Sequence, residues 1–176
     1  MSGPLLLRIG NEDDVDDLSE LLNASYRKTA DGTQCSGYSV AYIADLLQDS
    51  RRYCFVFDNT GQISASAALL GCIIVLLDAK DDKFLKVEMT AVHPEAQQQG
   101  IGGSMLRAVE EFAALHLHQG AIEMDVDAAQ DKLIAYYQKR GYTLTGKRGF
   151  SDGLETVELQ KIIETARKPR TDDDDD

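Results

Sequence analysis

The segment that most constrains this chain is Thr90-Ala91-Val92-His93-Pro94-Glu95-Ala96-Gln97-Gln98-Gln99-Gly100-Ile101-Gly102-Gly103. Residues 84–92 alternate in part between apolar and polar and predict a strand, which Pro94 stops. Beyond Gly100, the apolar residues Ile101, Met105, Val109 and Phe112 recur at helical spacing and predict a helix to about 119, closed by Gly120. A strand that runs through a glycine-bearing loop into a long helix builds an anion cradle. The first N–H groups of the helix have no internal partner, and the dipole favours negative charge there. Gly100 and Gly102 remove the side chains that would block close backbone approach. A diphosphate is the natural ligand.

Two common phosphate cradles do not fit. A Walker A loop needs a Gly-Lys-Ser/Thr ending, and no lysine follows here. A dinucleotide fingerprint needs a third glycine at position 105, which is Met105. The loop also lies past mid-chain, which leaves too few residues for the rest of a doubly wound sheet.

The flanking sequence reads as alternating elements. Residues 5–9 predict a first strand, and Asn11 caps a helix whose apolar stripe is Val15, Leu18, Leu21 and Leu22. A loop is expected over 30–37 and a second helix over 38–47. Strands follow at 53–57 and 63–77, joined by a turn at Asn59-Thr60-Gly61-Gln62. Residues 122–127 alternate strictly, and 131–140 predict a short helix that ends at Gly141. Two closing strands, 142–146 and 154–162, flank a turn over 149–153.

Composition narrows the class. A length of 176 residues favours one domain, expected over 1–163, with a charged tail over 164–176. The three cysteines are unpaired by spacing; Cys54 and Cys72 sit in apolar segments as small buried hydrophobes, so neither a disulfide framework nor a metal site is expected. The net charge is −12, and removing Asp172 to Asp176 leaves −7, which excludes a basic footprint for nucleic acid. The N-terminal apolar run is too short for a signal peptide, and no segment reaches the length of a membrane helix. The expected compartment is the cytoplasm, with the nucleus open.

Two motifs carry a family resemblance. Gln97, Gly100 and Gly102 meet the pattern Gln/Arg-x-x-Gly-x-Gly/Ala, entered through Val92-His93-Pro94, and this resembles motif A of the GNAT (GCN5-related) N-acetyltransferases. About thirty residues on, Met124-Asp125-Val126, Gln130 and Tyr136-Tyr137-Gln138-Lys139-Arg140-Gly141-Tyr142 are similar to that family's closing motif. Gln130 stands where the family carries Asn, which leaves any side-chain contact from 130 in doubt.

The resemblance implies an α/β (α+β) GNAT fold: a mixed central sheet of about seven strands with helices on both faces, splayed between 84–92 and 122–127. Acetyl-CoA would be the cosubstrate, with no metal. Its pantetheine arm would pair with the backbone of Thr90, Ala91 and Val92. The pyrophosphate would lie on Gln97, Gln98, Gln99, Gly100, Ile101, Gly102, Gly103 and Ser104, with Gln130 and Tyr137 beside the cofactor. Tyr137 would be the general acid for the departing thiolate and Glu88 the base for the amine. Plainer readings stand next to these: Tyr137 as a packing aromatic, Glu88 as a partly exposed strand carboxylate, Asp125 and Asp127 as solvated acids. The implied partner is an amine of unknown identity, and the fold often dimerises, so a homodimer is open. The alternative function is a non-catalytic acyl-CoA sensor or interaction protein on the same fold.

Overall fold

Residues Leu69–Leu77 are almost wholly apolar, and a strand of that kind is stable only where both faces are covered. They form strand β3, inside a seven-stranded sheet in the order β1-β2-β3-β4-β5-β7-β6. The computed structural model describes residues 6–26, 37–61, 67–77, 84–116 and 120–164. In chain order the elements are β1 (Leu6–Ile9), α1 (Val15–Ser25), α2 (Val40–Gln48), β2 (Arg52–Asp58), β3, β4 (Phe84–Val92), α3 (Ile101–His116), β5 (Gly120–Asp127), α4 (Asp131–Gln138), β6 (Thr143–Ser151) and β7 (Leu154–Ile163). Among the described residues only β4 and β5 run parallel; every other neighbouring pair is antiparallel. This is the mixed α/β architecture expected from the sequence.

Each face of the sheet has its own core. On one side Ile73, Val75, Leu85 and Val87 meet Ile101, Met105 and Val109 of α3 and Tyr137 of α4. On the other, Cys72, Ile74 and Ala91 meet Val15, Leu18 and Leu22 of α1 and Ile43 of α2. Cys54 and Cys72 are buried free thiols, and burial pushes the Cys54 thiol up to about 12, so both act as small hydrophobes. Asn11 starts the first helical segment as expected: its side chain accepts from Asp13 N, and Asp14 answers by accepting from Asn11 N, a capping box.

Several boundaries differ from the sequence expectation: α2 starts at Val40 rather than at 38, β3 at Leu69, and Gly120, expected to close α3, is the first residue of β5. The first closing strand is longer: β6 extends to Ser151, and the turn is confined to Asp152-Gly153. All nine residues of β6 are exposed, so this edge strand has no alternation to mark its length. Tyr142, expected to open that strand, is instead a buried core residue that closes α4. The helix α4 itself stops at Gln138 rather than at 140. The expected loop over 30–37 (Gly37 apart), Cys35, residues 63–66 of the expected 63–77 strand and residues 165–176 of the tail lie outside the described residues, while Ala67 and Ala68 are described and precede the strand.

Candidate functional site

The site begins where β4 breaks its own rhythm. Leu85 and Val87 point into the α3/α4 core, yet Met89 and Ala91, the next odd positions, pack against the α1/α2 core. The register explains the switch: Val75 of β3 pairs with Val87 and Ile74 pairs with Met89, so Glu88 is an extra residue, a β-bulge. The parallel ladder between β4 and β5 covers Phe84↔Ala121 to Val87↔Met124 and goes no further. From the bulge onward, β4 has no strand partner on its β5 side among the described residues. His93 N donates to Leu70 O on β3, and alternation along the strand turns the N–H and C=O groups of Val92 and Thr90 towards the gap.

At the end of β4 the chain makes a short 3-10 turn over Pro94–Ala96 and enters the predicted loop. Gln98 (φ 63°) and Gly100 (φ 82°) both take the left-handed conformation. Glycine accepts this freely, and a glutamine holds it only where the surroundings compel it. The helix α3 then starts at Ile101, whose side chain anchors it in the core while the loop stays exposed. A Cβ on Gly102 would stand 3.3 Å from the Tyr136 hydroxyl, and one on Gly103 would stand 3.3 Å from the Arg140 guanidinium. The cradle therefore has a wall, made by α4. Arg140 lies over the Tyr136 ring, 3.5 Å from its centroid, and donates to Tyr136 O. Arg107, one turn along α3, donates to Ser104 Oγ. Neither arginine pairs with a carboxylate among the described residues.

Tyr137 comes from α4 and is buried against Tyr136 (5.4 Å between centroids) and Tyr142 (5.9 Å). Burial pushes its phenol up to about 12 and Tyr136 adds to the rise, while the Thr90 hydroxyl and Arg140 oppose it. Thr90 Oγ1 is buried and has no hydrogen-bond partner among the described residues, so it stands near the phenol without the geometry of a bond. An orphaned hydroxyl at the mouth of a strand gap is the kind of group a ligand satisfies.

Glu88, the bulge residue, lies on the α1/α2 face. Arg52 of β2 binds it through a fork, Nε to Oε2 at 2.7 Å and Nη2 to Oε1 at 3.1 Å, and Arg52 Nη1 reaches Asp49 at 2.6 Å. The Arg52 guanidinium is held above its ordinary range mainly by this bond to Glu88. Asp125 pairs with Lys86 at 2.7 Å, and Asp127 accepts from Ala129 N in the turn before α4. Gln130 is the N-cap residue of α4, exposed and making no side-chain cap bond.

Sequence reading missed the groups that reach the gap from α1. The Tyr26 hydroxyl donates to Thr90 O at 2.6 Å and accepts from Thr90 N at 3.4 Å. Next to it, Ser25 Oγ donates to Val92 O at 3.2 Å, which Gln97 Nε2 also approaches at 3.3 Å. Burial is the main cause that raises the Tyr26 phenol above its ordinary value, and Tyr137 is close enough to contribute. Two tyrosines thus approach the gap from opposite faces. Tyr136 and Arg140 were also missed as cradle walls, because no spacing rule relates them to Gly102. Among the described residues there is no cluster of His, Cys, Asp and Glu that could hold a metal, and no helix long and apolar enough to cross a membrane.

Comparison with known proteins supplies a context for this geometry. A model of the acetyltransferase (GNAT) family matches residues 15–142. The uncharacterized protein YdhI of Bacillus subtilis (strain 168) is 33% identical over 89 residues, 51% of this chain and 52% of that protein, so the match spans about half the relative's length. The crystal structure of the ribosomal-protein-S18-alanine N-acetyltransferase from Escherichia coli superposes with a TM-score of 0.71 at 15% identity, covering 96% of this chain and 99% of the other. Mutant forms of the spermidine/spermine N-acetyltransferase SpeG from Vibrio cholerae give 0.66 at 17% identity, covering 90% and 95%. At such identities these structures share the fold.

Proposed function

The chain belongs to the GNAT acetyltransferase family, and from that premise we propose that it moves the acetyl group of acetyl-CoA to a primary amine by direct attack in a ternary complex. The observation that carries this reading is the bulge at Glu88: it ends the β4–β5 ladder at Val87 and opens a strand gap that leads straight into the glycine cradle.

The residues fit the cosubstrate. The N–H groups of residues 98–103, in the loop and first turn of α3, would hold the pyrophosphate, with Arg140 and Arg107, neither paired with a carboxylate among the described residues, on the same side. Thr90 and Val92 offer gap-side backbone groups to the pantetheine arm, whereas those of Ala91, expected to join them, turn to Cys72 of β3; Thr90 Oγ1 offers a hydroxyl without a partner among the described residues. Gln97 and Ser104 flank the cradle, and Gln130 stands between β5 and α4 as the N-cap residue of that helix. Acetyl-CoA supplies the thioester carbonyl and a thiolate leaving group.

The chain's own groups handle the protons. As the amine nitrogen bonds to the carbonyl carbon and the C–S bond breaks, the nitrogen loses a proton and the sulfur gains one. Tyr137 is the donor to sulfur. Its raised pKa keeps the phenol protonated throughout the physiological range. Glu88 receives the amine proton, which requires the Arg52 fork to release one carboxylate oxygen. An ordinary alkylamine with a pKa near 10.4 is only about one part in a thousand neutral at pH 7, so such a base has work to do. The test is thiol release from acetyl-CoA across a panel of amines. Turnover with at least one of them is expected, whereas binding of acetyl-CoA without thiol release from any amine would refute catalysis.

A further inference from the structure

On the sheet face away from α3 and Tyr137, a groove of about 220 Å³ runs across β4, β5, β7 and β6. Its ionic side chains are Lys86, Lys147, Arg148, Asp125 and Glu158. Three cations and two carboxylates line it, and Glu155, which pairs with Arg148, brings the charges level. Phe150, 81% exposed, forms an apolar part of the lining.

The groove reaches the reaction gap. Lys86 is the second residue before the bulge, and Asp125 is the first residue of β5 past the end of the β4–β5 ladder. Thr156, another lining residue, pairs with Asp127 on one side and Gly149 on the other. Asp127 lies three strand positions beyond Met124, and Thr90, with the bulge residue Glu88 taking no position, lies two beyond Val87, so the upper end of the groove stands about one residue past Thr90. A molecule held at the upper end of the groove therefore lies beside the gap.

The charges are paired with one another in a way that a doubly charged ligand can exchange. Lys86 pairs with Asp125 at 2.7 Å, Lys147 with Glu158 at 3.1 Å, and Arg148 with Glu155 at 2.6 Å. Lys147 and Arg148 are more than 60% exposed, and solvent-exposed pairs of this kind are held loosely. A polyamine would draw Asp125 and Glu158 away from the lysines that hold them and leave those lysines unpaired. A zwitterion would add one charge of each sign and could take over an ion pair at each end. The planar Arg148 fork also suits a carboxylate.

We infer that the acceptor is a small amine that carries its own carboxylate, bound by Lys147 and Arg148 with its amine directed past Asp125 into the β4–β5 gap. This rests on the acetyltransferase reading and names its substrate class. The experiment compares free amino acids with their carboxamides, and with spermidine, by thiol release from acetyl-CoA. The carboxylate forms should exceed their carboxamides in kcat/KM by about tenfold or more, the scale of one charge-assisted contact. The Lys147→Ala/Arg148→Ala double variant should raise KM for the carboxylate forms by a similar factor and leave the carboxamides unchanged, while Arg148→Lys retains part of the preference. Lys147→Glu/Arg148→Glu should invert it towards spermidine. Equal or better use of carboxamides or spermidine by the wild type, or an equal KM rise for both ligand classes in the double variant, would overturn the substrate class and leave the transferase reading standing. Absence of thiol release with every amine would remove both.

Discussion

The two faces of the strand gap are built by different means. On the α3/α4 face the machinery is largely main chain: a left-handed Gln98 and Gly100, side-chain-free Gly102 and Gly103, and a helix start at Ile101. On the α1/α2 face it is side chain: Tyr26 and Ser25 from α1, Arg52 from β2, Glu88 from β4, and the ionic groove that β6 and β7 complete. The first construction needs consecutive residues and suits a ligand whose phosphates are always the same. The second draws single residues from distant elements and can be altered one position at a time, as acceptor choice requires. Family membership therefore speaks firmly about the first face and little about the second.

The largest effect should come from the main-chain face. Gly102→Asp places a Cβ 3.3 Å from the Tyr136 hydroxyl and a carboxylate in the space proposed for phosphate. A like charge about 4 Å away costs roughly 4 kcal/mol near a protein surface, or about a thousandfold in affinity. Calorimetric titration with acetyl-CoA should show that loss while the melting temperature stays within a few degrees of wild type. Retained affinity would break the contrast between the faces, because it would mean that the cradle is not where the donor is held.

Tyr137 stands between the faces and comes next in size. Tyr137→Phe should lower kcat by about a hundredfold or more, the usual scale of general-acid assistance, with acetyl-CoA affinity little changed. Its pH dependence carries a sign. The folded phenol is raised to about 12, from roughly 10 in an unfolded chain, so its contribution to stability is complete below pH 10 and fades as pH rises through 12. Wild type should thus lose stability more steeply than Tyr137→Phe between those values, as thermal melts across the alkaline range would show. Identical alkaline profiles would mean that the phenol titrates in the native protein as it does in water.

How much of this was legible in the sequence follows from the same division. The cradle could be read because Gly100 and Gly102 sit at the start of the helix they open, and Tyr137 because it lies four residues before Gly141, just past the same helix. The bulge could not: Glu88 showed only as an imperfection in the alternation of 84–92, and its cause is the register against β3. Tyr26 was invisible for another reason. It lies 64 residues from Thr90 at the end of an amphipathic helix, where an aromatic residue is unremarkable by pattern. The length of β6 was lost because an edge strand with every side chain exposed has no buried period. Main-chain devices leave compact signals, and contacts between distant elements leave none.

The smallest expected effect is the most direct test of how the faces meet. The Tyr26 hydroxyl engages both gap-side groups of Thr90, the backbone proposed to pair with pantetheine. Donor binding along that path therefore has to displace a 2.6 Å hydrogen bond made by the acceptor-side helix. Tyr26→Phe removes the competitor and keeps the ring, with its edge contact to Tyr38 at 5.7 Å. A hydrogen bond of this kind contributes about 1 kcal/mol net, so the variant should be less stable by that amount and should bind acetyl-CoA about fivefold more tightly. Titration of the variant beside wild type separates the two accounts. Tighter binding means that α1 holds the gap closed to the donor until it is displaced. Weaker binding means that Tyr26 is part of the donor site itself, and the division between a main-chain donor face and a side-chain acceptor face would have to be redrawn at Thr90.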